Sequence, residues 1–297
     1  MPQETDLPAL SALDAACLAI DGPASVTWDT YQELLAKPGV AMLCAEPVQG
    51  VGQIVAVGWA FVKGDRGWIE GKVHPEHRRK GLGMRLLRWC QRQVVTFGRP
   101  ERLVIRNEAV NEGSIALYNQ EGYSRNFIEN WMQRDLTMPL PSIEQRYQHV
   151  AWTPDNAQRF YGVYINAFRE RQRPGSQVDS AEEWIGEYTA DPDFRPGISL
   201  LALDDGKPVG FVTAGTMYIA DLGKRIGWVS QVGSDPAWRG RGVAAGLIAS
   251  VMEACGREGF DAVGLHVNVD NPGAIQVYEH LGFTLVGRRA VYSKPFM

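Results

Sequence analysis

Cysteine is scarce in this chain, and what there is has no working spacing. Cys17, Cys44, Cys90 and Cys255 are the only four in 297 residues, too far apart for a CxxC pair, a Cys/His zinc set or a disulfide framework. They are expected to be reduced and mostly buried thiols, and no metal is expected. Cys90 lies in an apolar helical pattern with no histidine nearby to activate it, which marks it as core rather than nucleophile. No apolar run approaches the ~18 to 20 residues of a membrane span, and no basic-then-apolar segment opens the chain. A soluble, cytoplasmic protein with no membrane partner is expected. Positive charge is not in excess either: the formal net charge is −4, which gives no general attraction for nucleic acid. GxxxxGK[ST] is absent, which excludes a P-loop nucleotide kinase.

What the chain does contain is a long repeat. One copy reads Val73-His74-Pro75-Glu76-His77-Arg78-Arg79-Lys80-Gly81-Leu82-Gly83, followed by Asn111, Ser114, Tyr118, Gly122 and Tyr123. The other reads Ser234-Asp235-Pro236-Ala237-Trp238-Arg239-Gly240-Arg241-Gly242-Val243-Ala244, followed by Asn271, Ala274, Tyr278, Gly282 and Phe283. The displacement from Arg78 to Arg239 matches that from Tyr118 to Tyr278 to within one residue. A repeat of this length is a whole domain, far longer than the roughly 20 to 50 residues of a solenoid unit.

Two domains follow. The prolines of Met138-Pro139-Leu140-Pro141 suit neither a helix interior nor a central strand, so one domain is expected over 1–140 and a second over 147–297. In the second, residues 147–152 alternate like a strand, and Pro154-Asp155-Asn156 leads into an amphipathic helix holding Phe160, Val163 and Phe168. Asp205-Gly206 then joins two apolar runs as a hairpin. In both copies a further strand, the Arg/Gly loop, a long helix, another strand and a helix over the tyrosine motif complete the set. The first copy begins instead with a helical pattern over 7–20, leaving little room for an opening strand. This order reads as mixed α/β, each domain a partly antiparallel sheet flanked by helices.

The Arg/Gly loop is built to hold phosphates. In each copy it follows an apolar strand and opens a helix, so glycines let backbone N–H groups converge while the helix N-terminus adds partial positive charge. Arg78, Arg79, Lys80, Arg239 and Arg241 add formal charge. A Gly-rich turn with a solvated basic face explains one such loop; two copies with matching downstream motifs favour the pyrophosphate site. Gly240 to Gly246 spells GxGxxxG, but four residues separate strand from glycines, where a Rossmann site turns at once.

These residues resemble the GNAT superfamily of N-acetyltransferases. Its Q/R-x-x-G-x-G/A motif is matched by Arg78, Gly81 and Gly83 and by Arg239, Gly242 and Ala244. Its Asn-x-x-Ala and Tyr-x-x-x-Gly-Phe signature is matched by Asn271, Ala274, Tyr278, Gly282 and Phe283, with Ser114 for Ala and Tyr123 for Phe in the first copy. The resemblance spans nearly the whole chain as two tandem domains. It implies acetyl-CoA as cosubstrate, its pyrophosphate held by Arg78 to Gly83, including Leu82, and by Arg239 to Ala244, including Gly240 and Val243. Further contacts are implied from Lys72, Val73 and Asn111 and from Val232, Gly233, Ser234 and Asn271.

Transfer of an acetyl group to an amine needs a neutral amine, a stabilised oxyanion and a proton for the leaving thiolate. The resemblance makes Tyr118 and Tyr278 the acids. Glu70, on the strand before the first loop, is the candidate base; its counterpart, Gln231, cannot accept a proton, which leaves His266 or a water there. The acceptor is expected to meet residues 169–194, where Glu182, Glu183, Glu187 and Asp191 offer charge and Trp184 and Tyr188 aromatic contact, although a solvated helix face explains the same carboxylates. The expected activity is acetyl transfer to a primary amine of a small molecule. Acetylation of protein lysines or N-termini and a non-catalytic acyl-CoA sensor or scaffold are the alternatives. The two halves are expected to pack as an intramolecular pseudo-dimer, with the second domain carrying most turnover.

Overall fold

The computed structural model describes residues 2–22, 31–47, 52–169, 180–219 and 224–296. The chain divides into two compact units, one of residues 1–130, 219–223 and 286–297, the other of residues 131–218 and 224–285. The proline-rich stretch placed at the expected boundary therefore lies inside the second unit, and the last twelve residues belong to the first.

The first unit opens on α1 (Leu7–Asp21) and α2 (Tyr31–Ala36), followed by β1 (Val40–Ala45), β2 (Ala56–Lys63) and β3 (Arg66–Val73). No strand precedes β1 among the described residues. After β3 come α3 (Leu82–Phe97), β4 (Arg102–Asn107), α4 (Glu112–Gln120) and β5 (Ser124–Asp135). The second copy repeats this series with β6 (Gln148–Ala151), α5 (Ala157–Phe168), α6 (Ala181–Ala190), β7 (Leu200–Asp204), β8 (Lys207–Ile219), β9 (Lys224–Ser234), α7 (Val243–Arg257), β10 (Ala262–Asn268), α8 (Pro272–His280) and β11 (Thr284–Pro295). No helix among the described residues is long and apolar enough to cross a membrane.

In the first unit the strands run in the order β1-β2-β3-β4-β11-β5. Strands β1 to β3 are antiparallel, β3 and β4 parallel, and β11 antiparallel to β4 from Ala290 opposite Asn107 to Pro295 opposite Arg102. Strand β10 of the second unit has the end of β5 as its neighbour and continues through β9, β8 and β7 to β6. Each copy's final strand thus enters the sheet of the other copy's unit. The expected Asp-Gly hairpin joins β7 to β8, with Asp205 and Gly206 both at positive φ as a tight two-residue turn requires.

Helices α3 and α7 cover the sheets through apolar stripes that include Leu86, Leu87, Cys90 and Val94 in one case and Leu247, Val251, Met252 and Cys255 in the other. Burial pushes the Cys90 thiol up to about 12, so it packs and does not attack. Contact is close enough to demand glycine: a Cβ on Gly227 of β9 would stand 2.5 Å from Cys255 Sγ. Gly227→Ala is expected to cost about 1–3 kcal/mol in urea unfolding, and Cys255→Ala in the same chain to recover much of that loss. Equal stability of Gly227→Ala and the parent would show that the helix stands further off.

Candidate active site

Parallel pairing of β3 with β4 ends at Ile69 opposite Ile105, although β3 continues to Val73. Pairing of β9 with β10 likewise ends at Val229 opposite Leu265, although β9 continues to Ser234. Each strand therefore parts from its neighbour over its last residues, including Glu70, Lys72 and Val73 in one unit and Val232, Gly233 and Ser234 in the other. Such an opened edge suits a ligand that bonds to backbone as an added strand would.

The proline three residues before each loop arginine has a local cause. Pro75–His77 and Pro236–Trp238 each form one 3-10 turn, in which the Arg78 and Arg239 N–H groups donate to the proline carbonyls. Gly81 and Gly242 follow in the left-handed conformation as N-caps of α3 and α7. The first N–H groups of each helix, those of Leu82 to Met84 and Val243 to Ala245, lie ahead of the first intrahelical acceptor and suit an anion. The Val243 side chain is itself buried in the core.

The arginine side chains do other work than expected. Arg78 donates from Nε to the Val73 carbonyl at 2.9 Å and grips Asp21, the last residue of α1, at 2.7 and 2.5 Å. That carboxylate pushes the Arg78 guanidinium further above its already high range. Arg239 donates to the Ala167 carbonyl near the end of α5 at 3.0 Å. Both arginines tie the loop to the unit's preceding helix, and the charge of Arg78 is matched by Asp21. Lys72 bonds Asp14 at 2.7 Å, and Lys80 donates to the Glu76 carbonyl. Arg79, at positive φ, and Gly81 and Gly83 border a cavity.

That cavity, of about 650 Å³, lies wholly in the first unit. Its walls include the parted end of β3, the start of α3 and Tyr118 of α4, and its size falls within the roughly 300–1,000 Å³ of small-ligand sites. Tyr118 is half-buried, and its hydroxyl has no hydrogen-bond partner among the described residues. Burial pushes this phenol well above its ordinary value, with Tyr292, Glu70 and Tyr123 adding to the effect. It is protonated at neutral pH, as an acid must be. Glu70 is buried beside it and ion-paired with Arg106, whose Nε also lies 3.3 Å from Glu108.

The second unit arranges the same motifs differently. Tyr278 is buried in the main core with Phe283, their ring centroids 6.0 Å apart. His266 meets the Trp228 ring edge-on at 4.8 Å, and Gln231 accepts from Trp184 Nε1 at 3.2 Å. Trp184 is itself core, while Glu182, Glu183, Glu187 and Asp191 are exposed, with Glu183 in the capping box of α6. Of the expected acceptor segment, residues 170–179 lie outside the described residues.

The Asn/Tyr signature proves largely architectural. Asn111 and Ser114 cap α4 reciprocally, Asn111 Oδ1 accepting from the Ser114 N–H at 2.9 Å. Ala274 cannot return that bond, and Asn271 caps α8 without one. Gly122 and Gly282 end these helices at positive φ, so the Tyr123 and Phe283 N–H groups reach back to the Tyr118 and Tyr278 carbonyls, each at 2.9 Å. The motif thus fixes the tyrosine backbone in both units.

The sequence model of the acetyltransferase (GNAT) family matches residues 8–123 and 158–283. A mycothiol acetyltransferase of Brachybacterium faecium is 30% identical over 239 residues, covering 78% of this chain and 69% of that protein. One from Gordonia bronchialis is 27% identical, covering 99% and 98%. Among solved structures, a GCN5-related N-acetyltransferase from Sphaerobacter thermophilus aligns with a TM-score of 0.78 at 23% identity, over 99% of this chain and 94% of that one. A tandem GNAT protein of the clavulanic acid biosynthesis pathway aligns at 0.61 and 16% identity, over 99% and 96%. With one family match in each half of the sequence and a relative at 30% identity over most of its length, the chain belongs to the GNAT family, as an acetyl-CoA-dependent acetyltransferase.

Proposed function

We propose that the first unit binds acetyl-CoA in its cavity and transfers the acetyl group to a primary amine of a small molecule. The observation that carries this reading is the convergence of the opened β3 edge, the Arg/Gly loop and Tyr118 on one cavity of about 650 Å³. Acetyl-CoA supplies the activated acetyl thioester. Backbone N–H groups at the start of α3 hold its pyrophosphate, aided by Arg79, while Arg78 and Asp21 keep the loop in place. Backbone of β3 beyond Ile69 aligns the pantetheine arm. Glu70 orients the incoming amine, and Tyr118 gives its proton to the departing thiolate. The size of the cavity, within the range of small-ligand sites, and relatives named mycothiol acetyltransferase favour a small acceptor over a protein chain.

Titration calorimetry is expected to show micromolar binding of acetyl-CoA, weakened about tenfold or more by Gly81→Val, since a β-branched residue at positive φ disrupts the loop. Thiol release with a panel of small amines should then identify acceptors. No binding overturns the site; binding without thiol release from any amine or peptide makes the protein an acyl-CoA sensor.

A further inference from the structure

Tyr118 faces a difficulty as an acid. After giving up its proton it would be a phenolate in surroundings that raise its pKa, so the transfer is uphill unless something donates to the new anion. The charged and titratable neighbours come from strands β3 and β4 together, from the end of α4, and from β11. Glu70 on β3 is negative and cannot donate, and Arg106 on β4 is engaged with Glu70 and Glu108. Tyr123, just past α4, accepts from Gln91 at 3.2 Å and has Lys294 over its ring.

The third side is β11. Its Tyr292 is 1% exposed, and its ring centroid lies 5.0 Å from that of Tyr118. The Tyr292 hydroxyl is buried, and among the described residues it has no hydrogen-bond partner. A buried donor left unmade is destabilising, and the ring that carries it packs against the one phenol whose charge the reaction would change.

We propose that Tyr292 is a positioning residue for Tyr118, its ring holding the Tyr118 ring in place and its hydroxyl donating to the phenolate left when Tyr118 protonates the thiolate. The amine nitrogen forms the C–N bond to the acetyl carbon and loses its surplus proton to solvent, and as the C–S bond breaks a proton moves from Tyr118 Oη to sulfur. Tyr292 keeps its own proton, and Tyr118 is reprotonated by solvent before the next cycle. The inference rests on Tyr118 being the acid of the first unit.

Tyr118→Phe, Tyr292→Phe and the double variant test it in the full chain at saturating acetyl-CoA. Tyr292→Phe is expected to lower kcat about tenfold or more, the worth of a hydrogen bond to a charged group. KM for acetyl-CoA should stay within about twofold and Tm should not fall, because the lost hydroxyl has no partner in the resting protein. In the Tyr118→Phe background the same change should add nothing. If Tyr118→Phe cripples turnover and Tyr292→Phe does not, or if the two effects simply multiply, the coupling is wrong. If Tyr118→Phe is itself without effect, the assignment of the acid fails and Tyr292 with it. A fall in Tm matching the fall in kcat makes Tyr292 a structural residue only.

Discussion

Tyr118→Phe is expected to lower kcat about 10²-fold at saturating acetyl-CoA, the usual worth of a positioned acid, while Tyr278→Phe stays within about threefold. The reason is placement. Tyr118 borders the cavity with Glu70 nearby, whereas Tyr278 is 6% exposed within the core of the second unit. Sequence features favoured the opposite assignment, because the second copy has the fuller signature and a clear opening strand. Those features turn out to serve the fold: the Asn-x-x-Ala/Ser pair caps a helix and the Gly-aromatic pair ends it. Steady-state kinetics with one responsive amine decides between the units. Loss of turnover in Tyr278→Phe with Tyr118→Phe intact would return the chemistry to the second unit.

What the sequence made legible is what local physics determines. The loop glycines Gly81 and Gly242 carry positive φ at the helix starts, and Asp205-Gly206 forms its hairpin. Pairings between distant residues were not legible. Nothing near Arg78 in sequence announces Asp21, and nothing near Glu70 announces Arg106. Strands β5 and β11 escaped notice for a related reason. Segments such as Ser124-Arg125-Asn126-Phe127 and Gly287-Arg288-Arg289-Ala290 are too polar to read as core strands. Their polar groups are answered by one another: Arg289 bonds Glu129 at 2.7 Å, Arg288 bonds Asn130 at 3.0 Å, and Ser293 bonds Asn126 at 2.9 Å. A polar strand is recognisable only once its partner is known, and here the partner lies in the other copy.

That dependence gives the second large effect. A chain ending at Leu285 is expected to lose the fold of the first unit although every residue of the first copy is present. Removal of β11 leaves the β4 edge from Arg102 to Asn107 without its ladder and takes Ala290 and Tyr292 out of the core that holds Ile105 and Tyr123. It also frees the Val110 N–H, which donates to the Arg288 carbonyl just before Asn111. Burial of one large side chain is worth about 1.5–3 kcal/mol, and each backbone group left unmade in a buried edge costs about 1–3 kcal/mol. Several together reach the roughly 5–15 kcal/mol that stabilise an ordinary domain. Hydrogen exchange should therefore show β4 amides unprotected in the shortened chain while those of α7 and β9 stay slow, and acetyl-CoA binding in the first unit should vanish. A peptide of residues 286–297 added in trans should restore part of both. For the same reason, fragments made by cutting near Ser142 should purify together, since the first lacks the strand that the second carries. Slow exchange at β4 in the chain ending at Leu285, with cofactor binding intact, would mean that the first unit closes its sheet without β11.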